Sequence, residues 1–124
     1  MRRGDVVIVA LAGDYGKARP AVVLQNDRLD GRLDSVVIAL RTTFDEGARV
    51  LRIAVDPTTE NGPEKSSRIM VNKLYSLPSH RVREAIGHLD DETMLNVDRA
   101  LLMLLALDPL RATGDSSPAE RDKP

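Results

Sequence analysis

Cysteine and tryptophan are absent from the chain, and aromatic residues make up only 2% of it: Tyr15, Phe44 and Tyr75. Without thiols there is no disulfide scaffold, thiolate zinc site, iron–sulfur cluster or cysteine nucleophile. A reducing compartment fits that composition. Base-stacking platforms of the RRM or OB type need several exposed rings, so that route to nucleic acid is closed. The two histidines, His80 and His88, show no H-x-x-x-H or H-E-x-x-H spacing. His80 follows a Pro-Ser turn and reads as a surface residue, and His88 reads as structural. Walker, G-x-G-x-x-G and G-x-S-x-G motifs are missing too, which leaves no support for nucleotide-binding or serine-hydrolase chemistry, and neither a metal nor a cofactor is expected. No apolar run approaches a membrane span. Arg2 and Arg3 precede the run Val6–Ala12, but Asp5 opens it and its β-branched residues suit a buried first strand better than a signal peptide. The protein is expected to be soluble and cytoplasmic.

What is present is one domain's worth of chain: 124 residues, 42% hydrophobic and 30% charged. The net charge of −1 excludes histone-like and acidic-tail proteins, yet it hides an asymmetry. Residues 1–83 carry 14 basic and 10 acidic side chains, whereas residues 84–110 carry one basic and six acidic. The reading is a mildly basic β-rich body with an acidic C-terminal helix.

Strands are expected over Asp5–Leu11, Arg19–Gln25, Ser35–Thr43, Val50–Val55 and Ser67–Ser76, each rich in β-branched residues and separated by turn-forming segments. The segment Asp56–Ser66 holds two prolines and an Asn-Gly pair, and must be a loop. A helix is expected from an N-cap at Asp90 to Leu107, where Asp108-Pro109 stops it. Its apolar face (Met94, Val97, Leu101, Leu104, Leu105) is widened by Leu102, Met103 and Leu107 beyond what one sheet face needs. The polar, proline-bearing tail after Leu110 has nothing to bury.

The polar residues at strand ends are the remaining candidates for chemistry. Arg19 follows a loop and opens a strand, Thr42 closes another, and Asn72 and Lys73 lie in a fifth. An arginine and a hydroxyl converging on one phosphate would suit phosphoryl transfer, because the guanidinium is permanently charged and binds phosphate through a fork of donors. Taken singly, each of these residues reads more readily as an ordinary surface charge or strand former.

Their order along the chain carries more. Arg3-Gly4-Asp5-Val6-Val7, Gly16-Lys17-Ala18-Arg19-Pro20-Ala21-Val22-Val23-Leu24-Gln25, Leu40-Arg41-Thr42-Thr43, Asn61-Gly62-Pro63-Glu64-Lys65-Ser66-Ser67, Ile69-Met70-Val71-Asn72-Lys73 and Ile86-Gly87-His88-Leu89-Asp90 follow one another ahead of the final helix. This set, over roughly residues 3–107, resembles the MazF/PemK toxins of type II toxin–antitoxin systems. The resemblance implies a mainly β fold with a C-terminal helix, built on a small SH3-like antiparallel barrel. It implies a toxin domain over residues 1–110, followed by a disordered tail, 111–124, and a homodimer. It implies a sequence-specific, metal-independent endoribonuclease that cuts single-stranded RNA and is neutralised by an antitoxin protein. The reaction would be attack of a ribose 2′-OH on the adjacent phosphate.

Residue by residue, the family's catalytic positions fall on Arg19 and Thr42, with Asp14 the only carboxylate of the first loop. Lys17, Arg41, Arg68 and Lys73 would contact flanking phosphates. The family aspartate of the fifth strand falls on Asn72, which cannot accept a proton near neutral pH. Asn72 is therefore expected to orient Arg19 or grip RNA, with proton transfer left to Arg19, Asp14 or water. Two rivals follow from the same resemblance. Gyrase poisons of the CcdB type share the fold, but depend on a C-terminal tryptophan that this chain lacks. A catalytically weakened barrel that only binds RNA or antitoxin is the other, suggested by Asn72.

Overall fold

The computed structural model describes residues 1–11, 17–42, 51–55 and 67–107. Six strands, β1 (Asp5–Ala10), β2 (Ala18–Val23), β3 (Ser35–Thr42), β4 (Arg52–Val55), β5 (Ser67–Pro78) and β6 (Val82–His88), precede one helix, α1 (Asp91–Leu104). They form a single antiparallel sheet in the order β4-β5-β3-β2-β1-β6.

Both faces of the sheet are apolar, because its central strands carry consecutive apolar residues, as in Val6–Ala10, Ala21–Val23 and Val36–Leu40, rather than one at every second position. Val6, Val22, Ala39, Ile69 and Val71 point to one face, where Val97 and Ala100 of α1 cover them. Val7, Val9, Ala21, Val23, Ile38, Leu40 and Met70 point to the other. Among the described residues no helix lies on this second face, yet its side chains are buried, so the sheet curls around them. The expected barrel is corrected in one respect. β4 and β6 do not pair with each other, and the sheet remains open.

The curl has a local cause in β5. Ala39 pairs with Leu74, but the next β3 residue, Leu40, pairs with Met70, so Val71, Asn72 and Lys73 form a bulge between them. Such an insertion bends a strand and increases its twist. Val71 is held in the interior, and its N–H donates to the Leu51 carbonyl.

Three departures from the sequence reading have physical reasons. β6 was not expected, since Val-Arg-Glu-Ala-Ile-Gly-His carries little β signal. It forms through pairing with β1, with register shifts on either side of Val7. β5 runs two residues further, to Pro78, which is tolerated at the strand's end. Finally, α1 stops at Leu104 rather than Leu107, because Ala106 adopts φ +54° and closes the helix before Pro109 can act. Its start is as expected: the Asp90 side chain accepts from the Thr93 N–H at 3.1 Å, and hydrogen bonds with the Thr93 side chain and then its backbone hold the carboxyl below its ordinary pKa.

The Arg3-Gly4-Asp5 motif serves as scaffolding. Arg3 donates from Nε to the Leu24 carbonyl at 2.7 Å and from Nη2 to Asp98 of α1 at 2.6 Å, locking helix to sheet. Asp5 holds His88 Nδ1 at 2.8 Å, tying β1 to β6. Gly4 sits at φ +92°, a left-handed turn that favours glycine. The tail from residue 108 onward lies outside the described residues.

Candidate active site

The site is set by register. The β2–β3 ladder pairs Val23 with Ile38, Val22 with Ala39 and Ala21 with Leu40. Side chains alternate along a strand, so Arg19 shares the face of Ala21 and Thr42 shares the face of Leu40. Carried on by two residues, the same register sets Arg19 opposite Thr42. On its other side Thr42 pairs directly with Arg68 of β5, while Arg19 pairs with Val9 of β1 and Arg68 with Ala54 of β4.

One row therefore crosses five strands, Val9–Arg19–Thr42–Arg68–Ala54, at the end of the sheet where β2 begins and β3 ends. It lies on the curled face, just beyond the buried layer of Ala21, Leu40 and Met70. Neighbouring strands lie about 4.8 Å apart, so the hydroxyl of Thr42 is flanked within side-chain reach by two guanidinium-bearing residues. Arg19, Thr42 and Arg68 are each half-buried. Donors so grouped, in a partly desolvated row backed by apolar side chains, suit one anionic tetrahedral group.

Arg41 behaves differently. It is one residue from Thr42 and so points to the opposite face, where it is 2% exposed. Its Nε donates to Ser67 Oγ at 2.5 Å. Burial lowers its pKa from the ordinary arginine value to about 10. The expected contact of Arg41 with a flanking phosphate does not fit this placement: alternation turns its side chain into the interior. Ser67, the partner that keeps it there, was not singled out in the sequence; a serine beside a strand start carries no signal of its own.

Lys17 is exposed just ahead of β2, two residues before Arg19. Asn72 and Lys73 are exposed in the β5 bulge. Asn72 is four residues along β5 from Arg68, about 13 Å of extended strand, and the register does not bring it into the row with Arg19. Asp14 lies outside the described residues, as does Thr43. Among the described residues no three His, Asp or Glu side chains gather in a way that would hold a metal ion. His80 is exposed in a short turn, and His88 is engaged with Asp5 far from the row.

Comparison with known proteins places the chain in a family. Residues 2–105 match the family model described as PemK-like, MazF-like toxin of type II toxin–antitoxin system. The chain is 38% identical over 108 residues to a probable endoribonuclease MazF of Mycolicibacterium smegmatis, covering 86% of this chain and 98% of the relative. It is 31% identical over 113 residues to the endoribonuclease EndoA of Bacillus subtilis, covering 86% and 96%. Among solved structures, the Mycobacterium tuberculosis toxin MazF-mt6 shares the fold at a TM-score of 0.72 and 24% identity, over 84% of this chain and 98% of that one. A mycobacterial endoribonuclease in complex with its cognate antitoxin does so at 0.73 and 20%, over 87% and 97%.

Proposed function

The chain belongs to the PemK-like, MazF-like toxins of type II toxin–antitoxin systems, and from that premise we propose that it is an endoribonuclease toxin that cuts single-stranded RNA and is neutralised by a cognate antitoxin. The observation that carries the reading is the register that faces Arg19 and Thr42 across β2 and β3.

In the reaction a base removes the proton of a ribose 2′-OH, the 2′-oxygen bonds to phosphorus, and the bond from phosphorus to the 5′-oxygen breaks. The leaving 5′-oxygen takes up a proton. The products are a 2′,3′-cyclic phosphate and a 5′-OH. Arg19 holds the phosphate and stabilises charge on the phosphorane, and Thr42 donates to a phosphate oxygen. Asp14, five residues ahead of Arg19 in the sequence, is the carboxylate proposed to take part in proton transfer. Lys17, Lys73 and Asn72, all exposed, are proposed to grip flanking RNA. DNA lacks the nucleophile and is not a substrate.

Incubation of the purified protein with mixed-sequence RNA in EDTA should give discrete cuts with cyclic phosphate ends. Intact RNA would overturn the reading in favour of a binding-only toxin fold.

The protein is further proposed to act in the cytoplasm as a homodimer. No helix among the described residues is long and apolar enough to cross a membrane. The outer side of α1 and its C-terminal turn present Leu95, Leu102, Met103, Leu105 and Leu107, with Met103 66% exposed. Sedimentation at micromolar concentration should find twice 13.6 kDa; a monomer alone would refute the dimer.

A further inference from the structure

We infer that Arg68 is a second catalytic arginine: it binds the scissile phosphate together with Arg19 and Thr42, rather than a flanking one. This rests on the reading that the chain cuts RNA, and goes beyond it in assigning Arg68 to the reacting group.

The argument begins with the pairing. Thr42 and Arg68 are direct cross-strand partners, so their Cβ atoms are about 5 Å apart on one face. Arg19 approaches Thr42 from the strand on the other side, by the register of β2 and β3. The two arginines are two strand spacings apart, about 10 Å. That gap is spanned by two extended guanidinium side chains closing on a phosphate between them. The neighbours reinforce the placement. On its outer side Arg68 pairs with Ala54, whose single methyl leaves room for the guanidinium to lie across the row. Met70, two residues further along β5, is buried on the same face and blocks the side chain from turning down the strand. From this position the Arg68 side chain can reach over Thr42.

Charge explains what a second arginine contributes. The phosphodiester carries one negative charge, and the phosphorane formed by attack of the 2′-oxygen carries two. One guanidinium matches the ground state. A second, fixed before the reaction begins, interacts most strongly with the charge that develops only in the transition state. A flanking-phosphate contact has no such preference, since that phosphate keeps one charge throughout. The two roles therefore separate kinetically. A transition-state contact is lost from kcat, and a flanking contact is lost from KM with kcat retained.

The test is steady-state and single-turnover cleavage of one RNA bearing a single cut site, by wild type, Arg19→Ala, Arg68→Gln, Arg68→Lys and Arg83→Gln. Arg83 is exposed on β6, and its substitution removes one charge away from the row. Arg68→Gln is expected to lower kcat about 10²-fold with KM unchanged. Arg68→Lys keeps the charge but loses the fork of donors, and should recover about tenfold of that loss. Arg83→Gln should match wild type. If Arg68→Gln fails to fold, Arg68→Lys decides: a kcat about tenfold below wild type supports the assignment, and a wild-type kcat overturns it. Where Arg19→Ala is inactive but Arg68→Gln changes only KM, Arg68 is a flanking contact and the inference is wrong. Where wild type itself leaves RNA intact, the nuclease reading fails first, and the two failures are distinct.

Discussion

At one end of the sheet, two faces carry the same chemical group to opposite ends. Arg41 and Arg68 sit one rung apart on the paired strands β3 and β5. Arg41 faces the helix side, where burial lowers its pKa to about 10 and Ser67 accepts its Nε hydrogen bond. Arg68 faces the curled side, half-exposed beside Thr42. Period-two alternation alone separates an arginine that belongs to the interior from one that belongs to the site. Adjacency in sequence, as in Arg41-Thr42, is the wrong guide on a strand; adjacency across strands is the right one.

The largest effect that would break this comparison is on the curled face. Arg19→Ala should lower the cleavage rate about 10²–10³-fold while the thermal midpoint stays put. Retention of the wild-type rate would remove the row from the chemistry. Arg41→Ala should do the reverse: a loss of about 2–3 kcal/mol of stability in denaturant unfolding, with kcat of the folded protein unchanged. A variant that kept its stability but lost kcat would move Arg41 into the site.

Thr42→Val keeps the shape of the side chain and removes its donor, and should cost about tenfold in rate, the worth of one hydrogen bond. The smallest effect lies furthest from the row, at the start of α1. Asp90 has a folded pKa held below its ordinary 3.8 by hydrogen bonds with the Thr93 side chain and then its backbone N–H. Its contribution to stability is therefore present above that ordinary value and is lost as pH falls through the lower, folded one. Asp90→Ala should melt earlier than wild type at neutral pH, and the two melting curves should converge as acid protonates the cap.

The start of the helix and the five strands were legible in the sequence because local preference and tertiary structure agree there, whereas the expected loop Asp56–Ser66 lies outside the described residues. β6 was not, since Arg83, Glu84 and Ala85 favour no strand and only pairing with β1 makes one. Arg19 and Thr42 could be named as candidates from their positions at strand ends, and Arg68 only as a contact to a flanking phosphate implied by the resemblance. Their convergence could not, because it depends on which strands are neighbours: β3 lies between β2 and β5, with β4 displaced to the edge. The burial of Arg41 was hidden for the same reason. The bulge that sets Asn72 apart is likewise a matter of register, which no run of residues in β5 announces.

An open sheet has two rims, and each offers unsatisfied backbone groups to any passing strand. Among the described residues nothing pairs with the outer side of β4 or of β6. The chain meets that hazard in two ways. β4 is only four residues long and carries Arg52, and β6, though longer, displays Arg83 and Glu84 in succession and is pulled out of regular register by its shifts against β1. Short length, charge and irregularity each make a poor template for growth of the sheet from molecule to molecule, so the same opening that relaxes the barrel need not lead to aggregation.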